Sequence, residues 1–385
     1  MEIQAVFGNV FCMRLKLLPP EVDYVLIGAV LLLSGIGLAM LASAADVSAT
    51  ISPLFFRQAT ALFLGLIGMW FIAKIPYHSL RTVIPFLFAA GISVQFFLVI
   101  VGRTIRGTVS RLDFFGFQIQ PSEFIKVMLL LVLALVLAKY KHVGIRALVV
   151  SGVLTALPVF LVLREPDFGM AALILSLWVG LLMVFGLSWK LFGTIVLIGA
   201  MLFAGAWQTL LLDYQKERIL TFLHPTADPL RSGYNVNQSI IALGSGEILG
   251  RGLGHGPQSQ LKFLPERHTD FILASVGEEL GFIGVVLVVG LYSIVLVRII
   301  MIARATRDPF GQLIASGVFL IFIIGFTVNA GMNMGILPVT GIPLPLVSYG
   351  GSNLLASCIL LGLALSVKVH GTFSRHAPSE LSNFI

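Results

Sequence analysis

The sequence is poor in charge and in cysteine. Charged residues make up 11% of its 385 residues, whereas hydrophobic residues make up 57%. Because a soluble domain carries about 25% charged residues, this composition excludes an ordinary soluble protein and indicates a chain whose solvent is mostly lipid. The two cysteines, Cys12 and Cys358, lie at opposite ends of the chain, which argues against a disulfide framework and against a cysteine metal site.

The sequence also has no recognisable nucleotide-binding loop. The glycines between residues 244 and 256 fit neither the GxGxxG pattern nor a Walker loop, and turns explain them better. The net charge is +7, but the basic residues do not alternate with aromatic residues on a polar face, the pattern that would indicate nucleic-acid binding. We therefore expect no nucleic acid partner.

What the chain does have is a series of apolar windows. About 20 apolar residues suffice for a helix to cross the hydrocarbon core of a bilayer. The predicted fold class is an all-α integral membrane protein, a single polytopic membrane domain over residues 1–385 with about ten transmembrane helices. One large polar segment, residues 212–270, separates the seventh and eighth spans. The predicted spans are residues 24–43, 54–73, 82–101, 121–138, 146–163, 168–186, 191–211, 271–297, 311–330 and 351–369.

Basic residues in the short connections predict the orientation. If the amino terminus is cytoplasmic, most of these residues fall on the inner side, as the positive-inside rule requires. Both termini are then cytoplasmic, and the large loop is extracytoplasmic. The first window is too long for the apolar region of a cleaved signal, so we expect it to be retained. The basic exceptions on the outer side are Arg57, Arg103, Arg106, Arg111 and Arg164.

The stretch "LPERHTDFILASVGEELG" gathers charge at the start of the eighth span. One interpretation is structural, with Thr269 or Asp270 as the N-cap of the helix. However, Glu278 and Glu279 lie farther along the same span, where a carboxylate costs about 2.5–3.5 kcal/mol on insertion scales. We therefore expect one side of this helix to line a polar pocket that opens outward.

The stretch "QPSEFIK" has the pattern of a helix start, with Pro121 at the first position and Glu123 at the third. Lys126 follows three residues later on the same face. A structural ion pair explains both charges, and so does a cationic ligand site with its partner. In "LREPDFG", the residues Arg164, Glu165 and Asp167 crowd a short connection that is typical of a solvated hairpin.

The stretch "LPVTGIPLPLVSYGGSNLL" contains too much proline and glycine for a continuous helix. Irregular backbone at membrane depth survives only where it is buried in protein or lines a cavity. The charged residues of the spans lie near the predicted outer face, and the middle of the membrane is almost free of them. This distribution favours an enzyme acting at the outer interface over a transporter, which needs polar groups near the midplane.

Several long segments resemble the hallmark segments of the SEDS family, the RodA/FtsW/SpoVE peptidoglycan polymerases. They follow the family order over nearly the whole chain, and "LPVTGIPLP" and "LPERHTDFI" are more similar to RodA than to FtsW. These segments are "QPSEFIK", "REPDFG", "YQKERI", "LPERHTDFILASVGEELG" and "NAGMNMGILPVTGIPLPLVSYGGSNLL".

The resemblance implies a ten-span peptidoglycan glycosyltransferase of the bacterial cytoplasmic membrane. Such an enzyme polymerises lipid II, the undecaprenyl-pyrophosphate-linked disaccharide-pentapeptide, for wall elongation and cell shape. It also implies a class B penicillin-binding protein and the elongation machinery as partners. A lipid II flippase and a non-catalytic scaffold for wall synthases stay as alternatives, and the resemblance leaves open elongation, division or sporulation as the role.

The family's essential acidic residue maps onto Asp270, which we predict to be the general base. Cations are expected to bind the leaving pyrophosphate, and a divalent ion, magnesium or manganese, is a further candidate. No protein metal site is predicted. The predicted substrate-binding residues are Glu123, Lys126, Arg218, Arg103, Arg106 and Gln120, and the predicted supporting residues are His268, Glu278, Glu279, Ser348, Gly350 and Gly351. Where the family has Arg-Trp before "QPSE", this chain has Ser110 and Arg111.

Overall fold

The computed structural model describes most of the chain. It covers residues 23–43, 53–101, 112–114, 117–209, 215–216, 220–222, 233–261, 263–264 and 266–371. Helices account for nearly all of the secondary structure in these ranges, as the predicted all-α class requires. Of the predicted site residues, Arg103, Arg106 and Arg218 lie outside the described residues, as does Arg111.

The first half of the chain forms helices that follow one another through short connections. A short 3₁₀ helix, Tyr77–Thr82, precedes α3. The helices are α1 (Tyr24–Ser43), α2 (Pro53–Lys74), α3 (Ile84–Val101), α4 (Pro121–Leu137), α5 (Ile145–Arg164), α6 (Phe168–Val184) and α7 (Trp189–Thr209).

Among the described residues, the large loop includes the helices α8 (Tyr234–Ser245) and α9 (Pro257–Gln260), and three long helices follow it. The long helices are α10 (Ile272–Ala305), α11 (Pro309–Asn333) and α12 (Gly351–His370).

Among the described residues, six helices are long and apolar enough to cross a membrane: α1, α2, α5, α10, α11 and α12. Shorter apolar helices lie within α3, α6 and α7. The remaining helix in a predicted span interval is α4, which has 17 residues and carries Glu123 and Lys126 in its first turns. Each predicted interval therefore contains a helix, although their lengths differ.

A short hairpin departs from the helical pattern. Strands β1 (Leu112–Phe114) and β2 (Phe117–Ile119) pair in antiparallel register, with Leu112 opposite Ile119. The hairpin leads directly into Gln120 and α4. It therefore fixes the direction in which the chain enters the "QPSE" segment. The apolar windows did not predict this hairpin, because six strand residues are too few to give a signal in a window as long as a membrane span.

The helix in the eighth predicted span, α10, is kinked at Gly281. This residue has φ 69° and ψ −166°, a conformation that is essentially restricted to glycine. The loop before α10 bonds to the backbone groups on either side of the kink. Phe282 N–H donates to the Glu247 carbonyl at 2.9 Å, and Arg251 N–H donates to the Glu278 carbonyl at 2.9 Å. The kink is therefore stabilised by tertiary hydrogen bonds.

The predicted N-cap of this helix, Thr269 or Asp270, is wrong. The N-cap is Phe271, and no side-chain hydrogen bond caps it. Thr269 and Asp270 lie in the turn before the helix, where Asp270 N–H donates to the Glu266 carbonyl at 3.1 Å. The local pattern of hydroxyl and acid suggested a cap, but Asp270 lies one residue before the N-cap and Thr269 lies two residues before it.

At the end of the molecule opposite this turn, one carboxylate joins three helices. Asp23, which precedes α1, accepts hydrogen bonds from Arg298 of α10 at 2.8 Å and from Lys368 of α12 at 3.0 Å. Burial raises the pKa of Asp23, but the hydrogen bonds from Arg298, from Leu26 N–H and from Lys368 outweigh it, so the pKa lies below its ordinary value. The charge cluster thus fixes the relative positions of these helix ends.

Candidate active site

A cavity of ≈ 120 Å³ lies where the large loop meets the helix ends. Asp270 and Glu123, which are 147 residues apart in the numbering of the chain, both line it. Since the cavity wall combines carboxylate, guanidinium, amide and hydroxyl groups, it is suited to a polar, charged ligand. The other lining residues are Arg57, Gln118, Gln120, Thr269, Gly341, Pro343, Tyr349, Gly350, Gly351, Ser352 and Asn353.

Two asparagines of α11 hold the backbone of Asp270. The side-chain amides of Asn329 and Asn333 each donate to the Asp270 carbonyl at 3.0 Å. Both asparagines are fully buried, so these bonds are shielded from water. Asp270 Oδ2 lies beside Gly341, where a Cβ would be 3.7 Å away. The carboxylate is therefore presented at the cavity wall from a rigid backbone.

The irregular segment between α11 and α12 is bonded to the turn that carries Asp270. Ser348 Oγ donates to the Thr269 carbonyl at 2.6 Å, and Tyr349 N–H donates to the His268 carbonyl at 2.8 Å. Gly341, Pro343 and Tyr349 of this segment line the cavity, while Leu344, Leu346 and Val347 are buried in protein. Both placements are ones that irregular backbone at membrane depth requires. Its backbone contains φ values of +78° at Gly341 and +71° at Leu346.

Gln58 of α2 fixes the other side of the same segment. Its Nε2 donates to the Ser348 carbonyl at 3.1 Å, and its Oε1 accepts from Gly350 N–H at 3.1 Å. The side-chain amide of Gln58 therefore satisfies one C=O and one N–H of the "SYGG" turn, as a neighbouring backbone would. This turn brings the predicted supporting residues Gly350 and Gly351 into the cavity wall and leaves Ser348 buried just behind it.

Glu123 and Lys126 form a buried ion pair on α4. Lys126 Nζ donates to Glu123 Oε2, and it lies 3.5 Å from Asn353 Oδ1 of α12. Both charged side chains are nearly inaccessible to solvent. The structural interpretation of "QPSEFIK" is correct in that the pair exists, and its place beside the cavity keeps the ligand interpretation open. A lone charge at this depth would be strongly unfavourable.

Gln120 connects α4 to the α5–α6 turn. Its Nε2 donates to Asp167 Oδ2 at 3.2 Å, and its backbone N–H donates to Ser352 Oγ at 2.9 Å. Asp167 is the N-cap of α6, since its Oδ1 accepts from Met170 N–H at 2.9 Å. Gln120 and Asp167 both line a second cavity of ≈ 30 Å³, which Lys126 and Asn353 also line.

The solvated-hairpin interpretation of "LREPDFG" is wrong for Glu165. This residue is 0% exposed and accepts a hydrogen bond from Gln95 of α3 at 2.8 Å. Burial, and then the nearby charge of Asp167, raise the pKa of Glu165 to about 8. The turn is packed against α3, a contact between distant residues that local sequence did not reveal.

Glu278 and Glu279 do not line either of these cavities, contrary to prediction. Glu278 accepts hydrogen bonds from Gln258 N–H at 2.7 Å and from Ser259 N–H at 2.9 Å, while Glu279 accepts from Gly254 N–H at 3.1 Å. The polar partner that buried carboxylates require is here the backbone of the large loop. Their supporting role is therefore to anchor that loop on α10.

His268 lies beside Asp270 in the chain and is half-buried. Burial, and then the adjacent charge of Arg267, lower the pKa of His268 to about 4. Arg267 Nε lies 3.2 Å from His268 Nε2, which is consistent with a neutral imidazole accepting that bond. His268 is thus neutral at physiological pH and supports the turn through its backbone carbonyl.

The structure identifies polar residues that the sequence analysis did not select. Arg57 lines the larger cavity from α2, and Asn353 lines both cavities. Asn329 and Asn333 hold Asp270, and Gln58 holds the "SYGG" turn. A carboxamide in an apolar helix itself indicates a buried hydrogen-bond partner, because an amide without one is unfavourable in the membrane.

The family model described as "Cell cycle protein", FTSW_RODA_SPOVE, matches residues 23–372. A curated relative, the "Peptidoglycan glycosyltransferase MrdB" of Escherichia coli (strain K12), is 38% identical over 320 residues, covering 82% of this chain and 85% of that protein.

Solved structures agree with this match. A chain from "Structural coordination of polymerization and crosslinking by a peptidoglycan synthase complex" is 32% identical with a TM-score of 0.77, covering 90% of this chain and 97% of that one. The rod shape determining protein RodA of Thermus thermophilus is 29% identical with a TM-score of 0.68, covering 91% and 98%. The chain therefore belongs to the FtsW/RodA/SpoVE family of cell cycle proteins, a family of multi-pass membrane proteins, and it has the RodA-like fold.

Proposed function

We propose that Asp270 is the general base of this chain, which is a peptidoglycan glycosyltransferase like the curated relatives of its family. The observation that carries this proposal is a single cavity lined by Asp270 and by Glu123, whose carboxylate is paired with Lys126. The substrate we propose is lipid II. Its disaccharide and pyrophosphate match a wall of mixed charge and hydrogen-bonding groups.

The proposed step joins two glycans by displacement at an anomeric carbon. The acceptor hydroxyl loses its proton to an Asp270 carboxylate oxygen as its own oxygen bonds to the anomeric carbon of the donor. The bond from that carbon to pyrophosphate breaks, and undecaprenyl pyrophosphate leaves with the electron pair. General base catalysis of this kind contributes about 10²–10⁴ in rate. The leaving group needs no proton, so a second carboxylic acid is unnecessary.

Cations of the cavity would stabilise the charge that grows on the pyrophosphate. Arg57 reaches the larger cavity from α2. Lys126 is the cation at the junction with the smaller cavity, where Glu123 holds it in place. Arg103, Arg106 and Arg218 stay as predicted members of the same set. Asn329 and Asn333 hold Asp270 in position relative to these cations by donating hydrogen bonds to its backbone carbonyl.

A divalent cation, magnesium or manganese, stays a proposal tested by adding EDTA. The described part of the chain contains no group of three or more His, Cys, Asp or Glu side chains placed to hold a metal. Asp270 and Glu123 are the carboxylates of the larger cavity, and Glu123 is already paired with Lys126. These donors do not fit a protein-held metal.

The cellular setting follows from the same proposal. We place the chain in the bacterial cytoplasmic membrane with about ten spans, both termini in the cytoplasm, and the large loop outside, where lipid-linked sugar is consumed. A class B penicillin-binding protein is the proposed partner. A peptidoglycan synthase complex that coordinates polymerisation and crosslinking, as described for one solved relative, supports this pairing.

The test is polymerisation of labelled lipid II by purified protein. We expect Asp270→Ala and Asp270→Asn to lower the rate by about 10²–10⁴, because neither side chain accepts the proton. Glu247→Gln is the matched control, since Glu247 is exposed and lies outside the cavity. Glycan chains formed at the normal rate by Asp270→Asn would remove Asp270 as the base.

If wild type moves lipid II across vesicles without making chains, the flippase alternative applies. If it does neither, the scaffold alternative applies.

A further inference from the structure

One buried polar pair outside the cavity is incompletely hydrogen-bonded. Gln95 of α3 and Glu165, which follows α5, are both 0% exposed. Gln95 Nε2 donates to Glu165 Oε1 at 2.8 Å. The remaining oxygens, Gln95 Oε1 and Glu165 Oε2, have no hydrogen-bond partner. Two buried acceptors without donors are unfavourable, and a single proton would serve both of them.

A carboxylic acid and a carboxamide are complementary in hydrogen bonding. The protonated acid has one O–H donor and one carbonyl acceptor, and the amide has the matching acceptor and donors. We propose that Glu165 is a neutral carboxylic acid paired with Gln95, and that this pair is a positioning device for the turn behind the active site. The Glu165 O–H donates to Gln95 Oε1, while the amide N–H donates to Glu165 Oε1.

The electrostatics of the surroundings agree with a neutral Glu165. Burial, and then the charge of Asp167, raise its pKa to about 8. Within Ile84–Val101 and Phe168–Val184, α3 and α6 contain no titratable residue. On α4, Glu123 and Lys126 neutralise each other. Arg164 is exposed and lies over the Phe160 ring at 5.1 Å. Residues 102–111 lie outside the described part of the chain.

The pair is connected to the cavity through Asp167 of the turn and through Gly169 in the first turn of α6. Asp167, two residues after Glu165, accepts from Gln120, which lines both cavities. Gly169 packs against the Thr340 carbonyl so closely that a Cβ would clash with it. Displacing the turn would therefore move Gln120 and the segment next to Gly341. A shift of about 1 Å can cost about 10²-fold in rate.

The pH profile of polymerisation tests the positioning role, which rests on the proposed function. Glu165→Gln keeps both hydrogen bonds without a titrating group, so we expect normal activity below pH 8. Wild type should lose activity as the pH rises through about 8, and Glu165→Gln should lack this loss. Gln95→Leu removes the partner and should lower activity by about tenfold or more at every pH. Glu247→Gln should retain the wild-type profile.

Infrared spectroscopy tests the protonation state without any substrate. At neutral pH the wild-type spectrum should contain the C=O band of a protonated carboxyl group that is absent from Glu165→Gln and present in Glu247→Gln. Absence of this band from wild type, or an unchanged alkaline loss in Glu165→Gln, would overturn the proposal. If even wild type fails to polymerise lipid II, the proposed function fails, and the band still decides the acid–amide pair.

A pH series of thermal melts provides a third measurement. Because the folded state keeps the Glu165 proton above the ordinary pKa of 4.5, the folded state binds one proton more than the unfolded state in that range. Wild-type stability should therefore fall, relative to Glu165→Gln, as the pH rises from about 4.5 to about 8. A constant difference between the two Tm values across this range would contradict the proposal.

Discussion

At the scale of single residues, buried amides set the position of Asp270, the proposed base. The side chains of Asn329 and Asn333 bind the carbonyl of Asp270, and Gln58 binds the turn beside it. Amides are suited to this role because they donate hydrogen bonds without adding charge to a site whose proposed ligand is anionic. The cavity can therefore keep its charged groups for substrate.

The buried pair of Glu123 and Lys126 gives a prediction at this scale. We expect Lys126→Met to weaken lipid II use, and also to destabilise the fold by about 3–5 kcal/mol because the Glu123 carboxylate loses its partner. The double variant Glu123→Gln/Lys126→Met should recover most of the stability, since no buried charge is left unpaired, but not the activity.

Thermal melts and steady-state kinetics on the same preparations separate these effects. Recovered stability with low activity would support a role for Lys126 in binding the leaving group. Unchanged kinetics in Lys126→Met would remove Lys126 from that role. Recovery of both properties in the double variant would mean that the pair is purely structural.

At the scale of elements, the irregular segment between α11 and α12 depends on close backbone approaches. Gly37 of α1 packs against the Val347 carbonyl, and Gly169 of α6 packs against the Thr340 carbonyl. The segment cannot satisfy its own backbone groups as a helix would, so neighbouring elements must approach closely enough to hold it. Glycine makes that approach possible because it has no Cβ.

Two glycines of α1 provide a matched test of this packing. A Cβ at Gly37 would clash with the Val347 backbone, whereas nothing lies within 4 Å of a Cβ at Gly35. We expect Gly37→Ala to lower stability by about 1–3 kcal/mol and to reduce polymerisation, since Val347 precedes the "SYGG" turn. Gly35→Ala should be neutral or slightly stabilising. Equal effects of the two changes on Tm would contradict this account.

At the scale of the whole molecule, the two ends of the helices are organised differently. One end contains the cavity, the hairpin and helix α8 of the large loop. The other end is joined by the charge cluster of Asp23, Arg298 and Lys368. Ion pairs therefore fix the helix ends on one side of the molecule. The irregular segments that line the cavity lie on the other side.

The charge cluster gives a prediction about pH. Because the folded-state pKa of Asp23 is lowered, its stabilising effect is present above the ordinary pKa of about 4 and is lost as the pH falls through the folded value. Asp23→Asn should lower stability at pH 7 by about 1 kcal/mol, since Arg298 and Lys368 are partly exposed. Thermal melts should show this difference narrowing in acid, and a constant difference would argue against the pair interactions.

Part of the site was predictable from sequence because its residues lie in long, specific motifs. Asp270, Glu123 and Gln120 were selected from "HTDF" and "QPSE", and the structure places all three on one cavity. The partners Asn329, Asn333 and Asn353 were not selected, since single amides in apolar helices have no spacing pattern. The predicted role of Asp270 as the base is left to the polymerisation assay.

The sequence by itself determined that this protein lies in a membrane and where its helices approximately lie. It also determined that the segment "LPVTGIPLPLVSYGGSNLL" could not be one continuous helix. These properties follow from composition and local spacing, which act over one turn or one span of chain. Only the tertiary structure decided that Glu278 and Glu279 anchor the loop, that α10 bends at Gly281, and that Glu165 is buried against Gln95. Each of these depends on a hydrogen-bond partner far away in the chain, and only folding brings such partners together.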